Sequence, residues 1–299
     1  MQINKSEAIE DKINIQDNNT AGIFFMITAA ICFALIAVLV KQVRHLPLME
    51  IVIFRNIPMM IIISGMIKKE NIPPFGNNKP ILILSGLVIT IGTIAGFYAF
   101  TTMPLTDALT IQQLNPLFTF FLAGIFLKEK LHFRQIPFFI LAFLGGLLVI
   151  KPGFRIDIFP AMIALLSAIS ISFSHATLRH LRLTDHYLVI INYRAYIISL
   201  VSLIILILQK GFKIPSPSDL LTLALLGAVG LIAQITLTKA YQLAPASLIS
   251  LYNYSQIIFA SVFALLFFKE IPDIFSITGA SFIIISGYLN YRYKSNNLI

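Results

Sequence analysis

Long apolar runs separated by short polar breaks occupy almost the whole chain, and each run is of similar length. The pattern predicts ten helices, at residues 21–40, 48–67, 80–101, 106–127, 133–150, 158–178, 186–208, 218–240, 246–268 and 273–291. A helix needs about 20 apolar residues to cross a bilayer, whereas the strands of a membrane barrel are about half as long and alternate in polarity. The breaks carry loop chemistry: Lys68-Lys69-Glu70 before Pro73-Pro74, Lys151-Pro152-Gly153, and Pro215-Ser216-Pro217. Residues 1–20 are polar and of mixed charge, which predicts a disordered tail rather than a cleaved signal.

The pattern occurs twice. At a single offset of 141 positions, Met103-Pro104 aligns with Ala244-Pro245, Gln112 with Asn253, Asn115 with Gln256, Phe126-Leu127-Lys128-Glu129 with Phe267-Phe268-Lys269-Glu270, and Gly146 with Gly287. An ungapped register of this length points to an internal duplication. The expected units are residues 21–150 and 158–291, each with five helices.

Composition agrees with the hydropathy pattern. The chain is 58% hydrophobic and 12% charged, with a mean hydropathy of +0.87; soluble domains average about 45–50% apolar and about 25% charged. The excess of Lys and Arg lies mostly between spans, so it is read as topology and not as a nucleic-acid footprint. With the N-terminus inside, thirteen Lys and Arg fall on the cytoplasmic side and seven on the outer side. Both termini are therefore expected in the cytoplasm. Cys32, the one cysteine, lies within the first apolar run and is read as packing.

An odd number of spans per unit means that the second unit enters the membrane from the opposite side. The expected fold is an all-α integral membrane protein of ten transmembrane helices in two inverted five-helix repeats. Such repeats suit a carrier, because exchanging the conformations of the two halves opens the path to the other face.

Two groups of polar residues stand out within the spans. Gln112, Asn115 and Thr119 share one helical face in the fourth span, and Asn253 and Gln256 share the equivalent face in the ninth. Carboxamides facing lipid would be left unpaired, so both faces should turn inward. They either line a substrate path or act as interhelical hydrogen bonds. Pro116 predicts a kink beside Asn115 that has no proline counterpart, since Ile257 occupies the equivalent place. Tyr98 and Gln234 are secondary path candidates. Arg55 and Arg194 lie several residues inside the second and seventh spans. A buried Arg costs at least about 2.5 kcal/mol on insertion scales, so each needs partners or water. They are read either as symmetric gating or anion-attracting groups, or as ties to backbone carbonyls at helix ends. Glu129 and Glu270 read as interfacial ion pairs or loop anchors. His175 and Lys239 are placed near cytoplasmic ends, in reach of water.

The spans lack a central carboxylate, a metal-ligating cluster and a Gly-rich phosphate loop. The expectation is therefore no enzyme, no cofactor, no bound metal and no nucleic-acid partner. A membrane scaffold or lipid-handling subunit is the alternative to a carrier.

The ensemble of Arg55 and Arg194, Met103-Pro104 and Ala244-Pro245, Lys128-Glu129 with Gly145-Gly146, and Lys269-Glu270 with Gly287 resembles the EamA-type drug/metabolite transporter superfamily over residues 21–291. The resemblance implies an inverted-repeat carrier in a bacterial inner membrane. It also implies as substrate a small metabolite such as an amino acid, a nucleoside-like compound or S-adenosylmethionine, with protons or a counter-substrate as the coupling partner.

Overall fold

A computed structural model describes residues 18–102, 111–112, 114–129, 133–150, 158–268 and 274–296. The described residues form α1 (Asn19–Gln42), α2 (Leu48–Lys69), α3 (Lys79–Thr102), α4 (Asn115–Phe126), a 3-10 turn (Phe133–Gln135), α5 (Ile136–Ile150), α6 (Ile158–Leu181), α7 (Tyr187–Gln209), α8 (Pro217–Leu243), α9 (Ala246–Tyr252), α10 (Ser255–Phe268) and α11 (Ile274–Asn296). The chain is all-helical, with no strand among these residues. Seven spans are long and apolar enough to cross a membrane, α9 and α10 together making one of them, and three shorter apolar helices accompany them. Many large apolar side chains face outward, including Ile61, Ile207 and Leu208 at 65–77% exposure, as a lipid-facing surface requires. Most of the expected polar tail, residues 1–17, lies outside the described residues, as do Met103-Pro104, Lys151-Pro152-Gly153 and Lys269-Glu270.

Local chemistry sets the helix ends. Asn18 caps α1 by accepting from the Ala21 amide at 3.0 Å. Ser216 and Asp219 form a reciprocal capping box at α8, with Pro217 in the first turn. At the other termini, Asn71 and Lys210 turn into the left-handed region (φ 52° and 48°) just after α2 and α7.

The helices pair across the two halves of the sequence. One bundle contains α1, α2, α8 and α10; the other contains α6, α7, α3 and α4. Exchanging the halves converts one set of pairings into the other. Close crossings repeat as well: a Cβ on Gly86 would run into Ile197, and one on Gly227 would meet Pro58 at 2.6 Å. Glycine at both positions lets α3 lie against α7, and α8 against α2. The helices α5 and α11 pack mainly on each other, tied by a buried hydrogen bond between Gln135 and Asn290 (2.7 Å).

The two ends of the bundle are distinguished by which loops meet. Asn18 donates to the Leu243 carbonyl at 2.9 Å, and the loops after α2 and α6 are joined through Asp185. This is the N-terminal end. At the far end the loops after α1 and α7 meet, where His45 pairs with Asp219 (3.2 Å) and Glu50 accepts from the Lys213 amide (3.2 Å).

Candidate substrate path and closing contacts

The fourth span of the sequence is interrupted. Residues 111–112 are helical, Leu114 is a turn donating to the Ile111 carbonyl at 3.1 Å, and α4 begins at Asn115 with Pro116 in its first turn. Proline is tolerated there because its missing N–H is one a helix start leaves unpaired anyway. The ninth span is interrupted at the equivalent place. α9 ends at Tyr252, Asn253 and Tyr254 form a turn with i→i+3 hydrogen bonds, and α10 starts at Ser255. A turn thus precedes both α4 and α10, although Ile257 stands at the position aligned with Pro116. The second break needs no proline.

The polar residues of α4 turn toward α6. Thr119 is fully buried and donates to Asn115 Oδ1 at 3.1 Å, and the Asn115 carbonyl accepts from Ser172 Oγ at 3.0 Å. Gln112 Nε2 lies 3.4 Å from Ser167 Oγ, which itself donates to the Gly92 carbonyl. Asn253 and Gln256 are half-buried at and just after the second break. Gln234 is buried in α8, 8% exposed. Tyr98 is partly exposed, with its ring edge-on to Phe159 of α6 at 6.4 Å. α4 packs on α9, which brings the two interrupted spans together.

The two arginines have unequal surroundings. Arg194 is 3% exposed between α7, α3 and α6. Its Nε and Nη2 reach Ser85 Oγ at 2.9 and 2.6 Å, and Nη2 also donates to the Ser174 carbonyl (2.7 Å) and hydroxyl (2.6 Å). Arg55 and Arg194 are 139 positions apart; at that spacing Ser174 and Thr177 correspond to Leu35 and Val38, and at the 141-residue offset Ser85 corresponds to Leu226. Arg55 accordingly packs against Gly230, and its buried Nε has no hydrogen-bond partner among the described residues. Only Arg194 fits the reading of a tie to a helix carbonyl.

A set of contacts between the two bundles is concentrated at the N-terminal end. Glu129, just after α4, accepts from the Ala246 amide (2.9 Å), the Ser247 amide (3.1 Å) and the Ser247 hydroxyl (2.7 Å) at the start of α9. Arg179 Nε lies 3.4 Å from the same carboxylate. Arg179 and Arg182 also donate to the Gln242 carbonyl at 3.2 and 3.0 Å. One turn deeper, His175 of α6 stacks on Tyr241 of α8, with 3.1 Å between Nδ1 and the phenol oxygen. His175 is only 5% exposed, which corrects its placement in reach of water. Lys239 is half-buried with its ammonium 4.8 Å from the Tyr187 ring centre and 5.5 Å from that of Phe25. Glu129 serves as the expected anchor; Glu270 lies outside the described residues. Sequence reasoning passed over Ser85, Ser167, Ser172, Ser174, Tyr241 and Ser247. The signal for three of them, Ser167, Ser172 and Ser174, is the closely spaced run of serines along α6.

These features define a helical membrane protein with interrupted, polar helices at its centre. Residues 20–151 and 158–292 each match the EamA-like transporter family, and the chain belongs to it. It is 26% identical over 269 residues to the pseudopaline exporter CntI of Pseudomonas aeruginosa, covering 89% of this chain and 94% of that one. It is 29% identical over 282 residues to mouse solute carrier family 35 member G1, covering 89% and 76%. It is 28% identical over 203 residues to the S-adenosylmethionine uptake transporter of Rickettsia prowazekii, covering 68% of each. A solved crystal structure, 14% identical in sequence, superposes with a TM-score of 0.83 over 92% of this chain and 99% of the other, a likeness of fold.

Proposed function

We propose that the chain is a secondary carrier that moves a small polar organic solute across a bacterial inner membrane by alternating access. In this reading it has ten spans in two inverted units, residues 21–150 and 158–291, with both termini in the cytoplasm. The observation that carries it is the pair of turns, one at Leu114 and one at Asn253 and Tyr254, which precede α4 and α10. Discontinuous helices mark solute sites in carriers, and since the backbone at Asn253 and Tyr254 closes with i→i+3 hydrogen bonds, the polar groups offered there are the carboxamide side chains. Both breaks coincide with the carboxamides singled out by the repeat.

The solute path runs between the interrupted spans, with Gln112, Asn115, Thr119, Asn253 and Gln256 as its principal polar groups and Tyr98 and Gln234 secondary to them. Arg194 acts chiefly by holding α7 to α3 and α6; Arg55, which lacks the hydroxyl and carbonyl cluster that engages Arg194, is the better candidate for attracting an anionic group. The exchange symmetry of the helix pairings supports the inverted-repeat reading. The Glu129 and His175 contacts support a state closed at the N-terminal end. Relatives named for export of pseudopaline and uptake of S-adenosylmethionine support a small organic substrate, moved with a proton or a counter-solute. No catalytic step is assigned.

The test is flux from proteoliposomes loaded with pooled metabolites, read by mass spectrometry with and without a pH gradient. Selective loss of one compound class supports a carrier. No selective loss from folded protein would favour a scaffold or lipid-handling role instead.

A further inference from the structure

A wide cavity among the described residues lies away from the path between the interrupted spans. It is a groove of about 910 Å³ between the last turns of α2, the loop that follows, the start of α3 and the start of α7. Its walls are mainly apolar, and several of them belong to the outer surface: Phe75 is 69% exposed, Ile83 46% and Tyr196 45%. In a membrane-embedded chain such a groove opens toward lipid.

Two polar features do not fit a simple lipid-facing wall. Ser64 donates to Asn192 Oδ1 at 3.1 Å and lies 3.2 Å from the Tyr196 hydroxyl, forming a polar trio within the groove. Lys68, one turn nearer the end of α2, is the one charged residue that lines the groove among the described residues. At about 1.5 Å of rise per residue, Lys68 stands about 6 Å above Ser64 along the helix. A second cation lies at the rim, where the Lys79 ammonium is 5.9 Å from the Phe75 ring centre. The Asp185 carboxylate beside the loop is directed elsewhere. Asp185 is occupied by the Asn77 and Asn78 amides. The Tyr193 hydroxyl donates to the Phe75 carbonyl at 2.9 Å, which fixes the loop as one wall of the groove.

A cation at headgroup height, hydrogen-bonding groups one turn deeper and apolar walls match the order of groups in a phospholipid: phosphate, ester carbonyls, acyl chain. We infer that this groove binds one anionic phospholipid from the leaflet at the N-terminal end, with its phosphate at Lys68 and its ester region at Ser64, Asn192 and Tyr196. Because the groove touches both α2 and α7, one from each bundle, the lipid bridges the two bundles outside the solute path. Cations near anionic membrane surfaces contribute about 1 kcal/mol each, so the preference for an anionic headgroup is several-fold.

Native mass spectrometry of the full chain in detergent, with equal phosphatidylglycerol and phosphatidylcholine, tests the inference. The wild type should retain phosphatidylglycerol several-fold over phosphatidylcholine. Lys68→Ala, at an exposed site, should remove that preference, and Ile83→Trp, which fills the groove from α3, should reduce retention of both lipids at least about fivefold. Size-exclusion profiles and thermal unfolding of the variants confirm folding, and Lys68→Ala alone decides the headgroup claim if Ile83→Trp does not fold. Absence of retained lipid, equal retention of the two lipids by the wild type, or retention unchanged in Lys68→Ala would each overturn the inference. Retention unchanged in folded Ile83→Trp would place the lipid outside the groove and overturn it as well.

Discussion

Arg194 of α7 meets Ser85 of α3 with two nitrogens, Nε at 2.9 Å and Nη2 at 2.6 Å from the one hydroxyl oxygen. The hydrogen-bond partners found for this buried guanidinium are hydroxyls and the Ser174 carbonyl, neutral dipoles that solvate its charge. Hydrogen bonds to charged groups contribute about 1.5–3 kcal/mol each, and orphaning buried partners costs more. Arg194→Gln should therefore lower stability by about 2–4 kcal/mol. Arg55 lacks such a cluster, and Arg55→Gln should change stability by less than about 1 kcal/mol while lowering flux of an anionic solute. Thermal unfolding in detergent and proteoliposome flux separate the two effects. Equal destabilisation by both would restore the symmetric reading of the arginines.

The interrupted spans make a second prediction. Asn115→Ala removes the acceptor of Thr119, and Gln256→Ala alters the half-buried equivalent in α10. Each variant should insert and fold, with flux reduced about tenfold or more, as expected when about 1.4 kcal/mol or more of solute binding is lost. Full flux in both would remove these residues from the path.

Glu129 provides a test of closure. Its carboxylate joins α4 to α9 through two amides and the Ser247 hydroxyl, beside Arg179. Glu129→Gln keeps the shape but loses the charge, weakening the closed end by at least about 1.4 kcal/mol. A reporter cysteine replacing the buried Ser250, on a Cys32→Ser background, should then react about tenfold faster with maleimide added from the N-terminal side. An unchanged rate would mean that Glu129 does not hold that end shut.

The loop after α2 depends on one backbone conformation. Gly76 has φ 61°, and a Cβ there would meet Asp185 Oδ1 and Leu82 Cδ1 at 2.5 and 2.6 Å. Asp185 needs that space to accept from the Asn77 amide at 2.6 Å. Gly76→Ala should cost about 1 kcal/mol or more, from the positive φ and the displaced carboxylate together. Thermal unfolding measures it, and an unaltered midpoint would show that the loop adapts.

Much of this architecture is written in the apolar runs, because a span's length and its capping chemistry are local properties. The break at Asn115 is signalled by Pro116, but the one at Asn253–Tyr254 has no local breaker. Tertiary contacts accompany it instead: Tyr254 is fully buried, and the Tyr252 hydroxyl donates to the Gly287 carbonyl at 3.0 Å. The serines of α6 were illegible for a related reason. In an apolar helix a serine can bond back to its own i−4 carbonyl, as Ser172 does to Ala168 at 2.6 Å, so its sequence position does not show that it also reaches Asn115. His175 was misplaced because depth along a helix does not predict what stacks on it from α8. Glu129 was legible because the repeated Lys-Glu ends mark it as an interfacial group.

Alternating access requires the N-terminal end to open and close for solute to cross. Its most direct test joins the two bundles there: Glu129→Cys with Ser247→Cys on the Cys32→Ser background, with flux measured in the same proteoliposomes oxidised and then reduced. Alternating access predicts that flux stops when the pair is cross-linked and returns on reduction. Undiminished flux through fully cross-linked protein would contradict it.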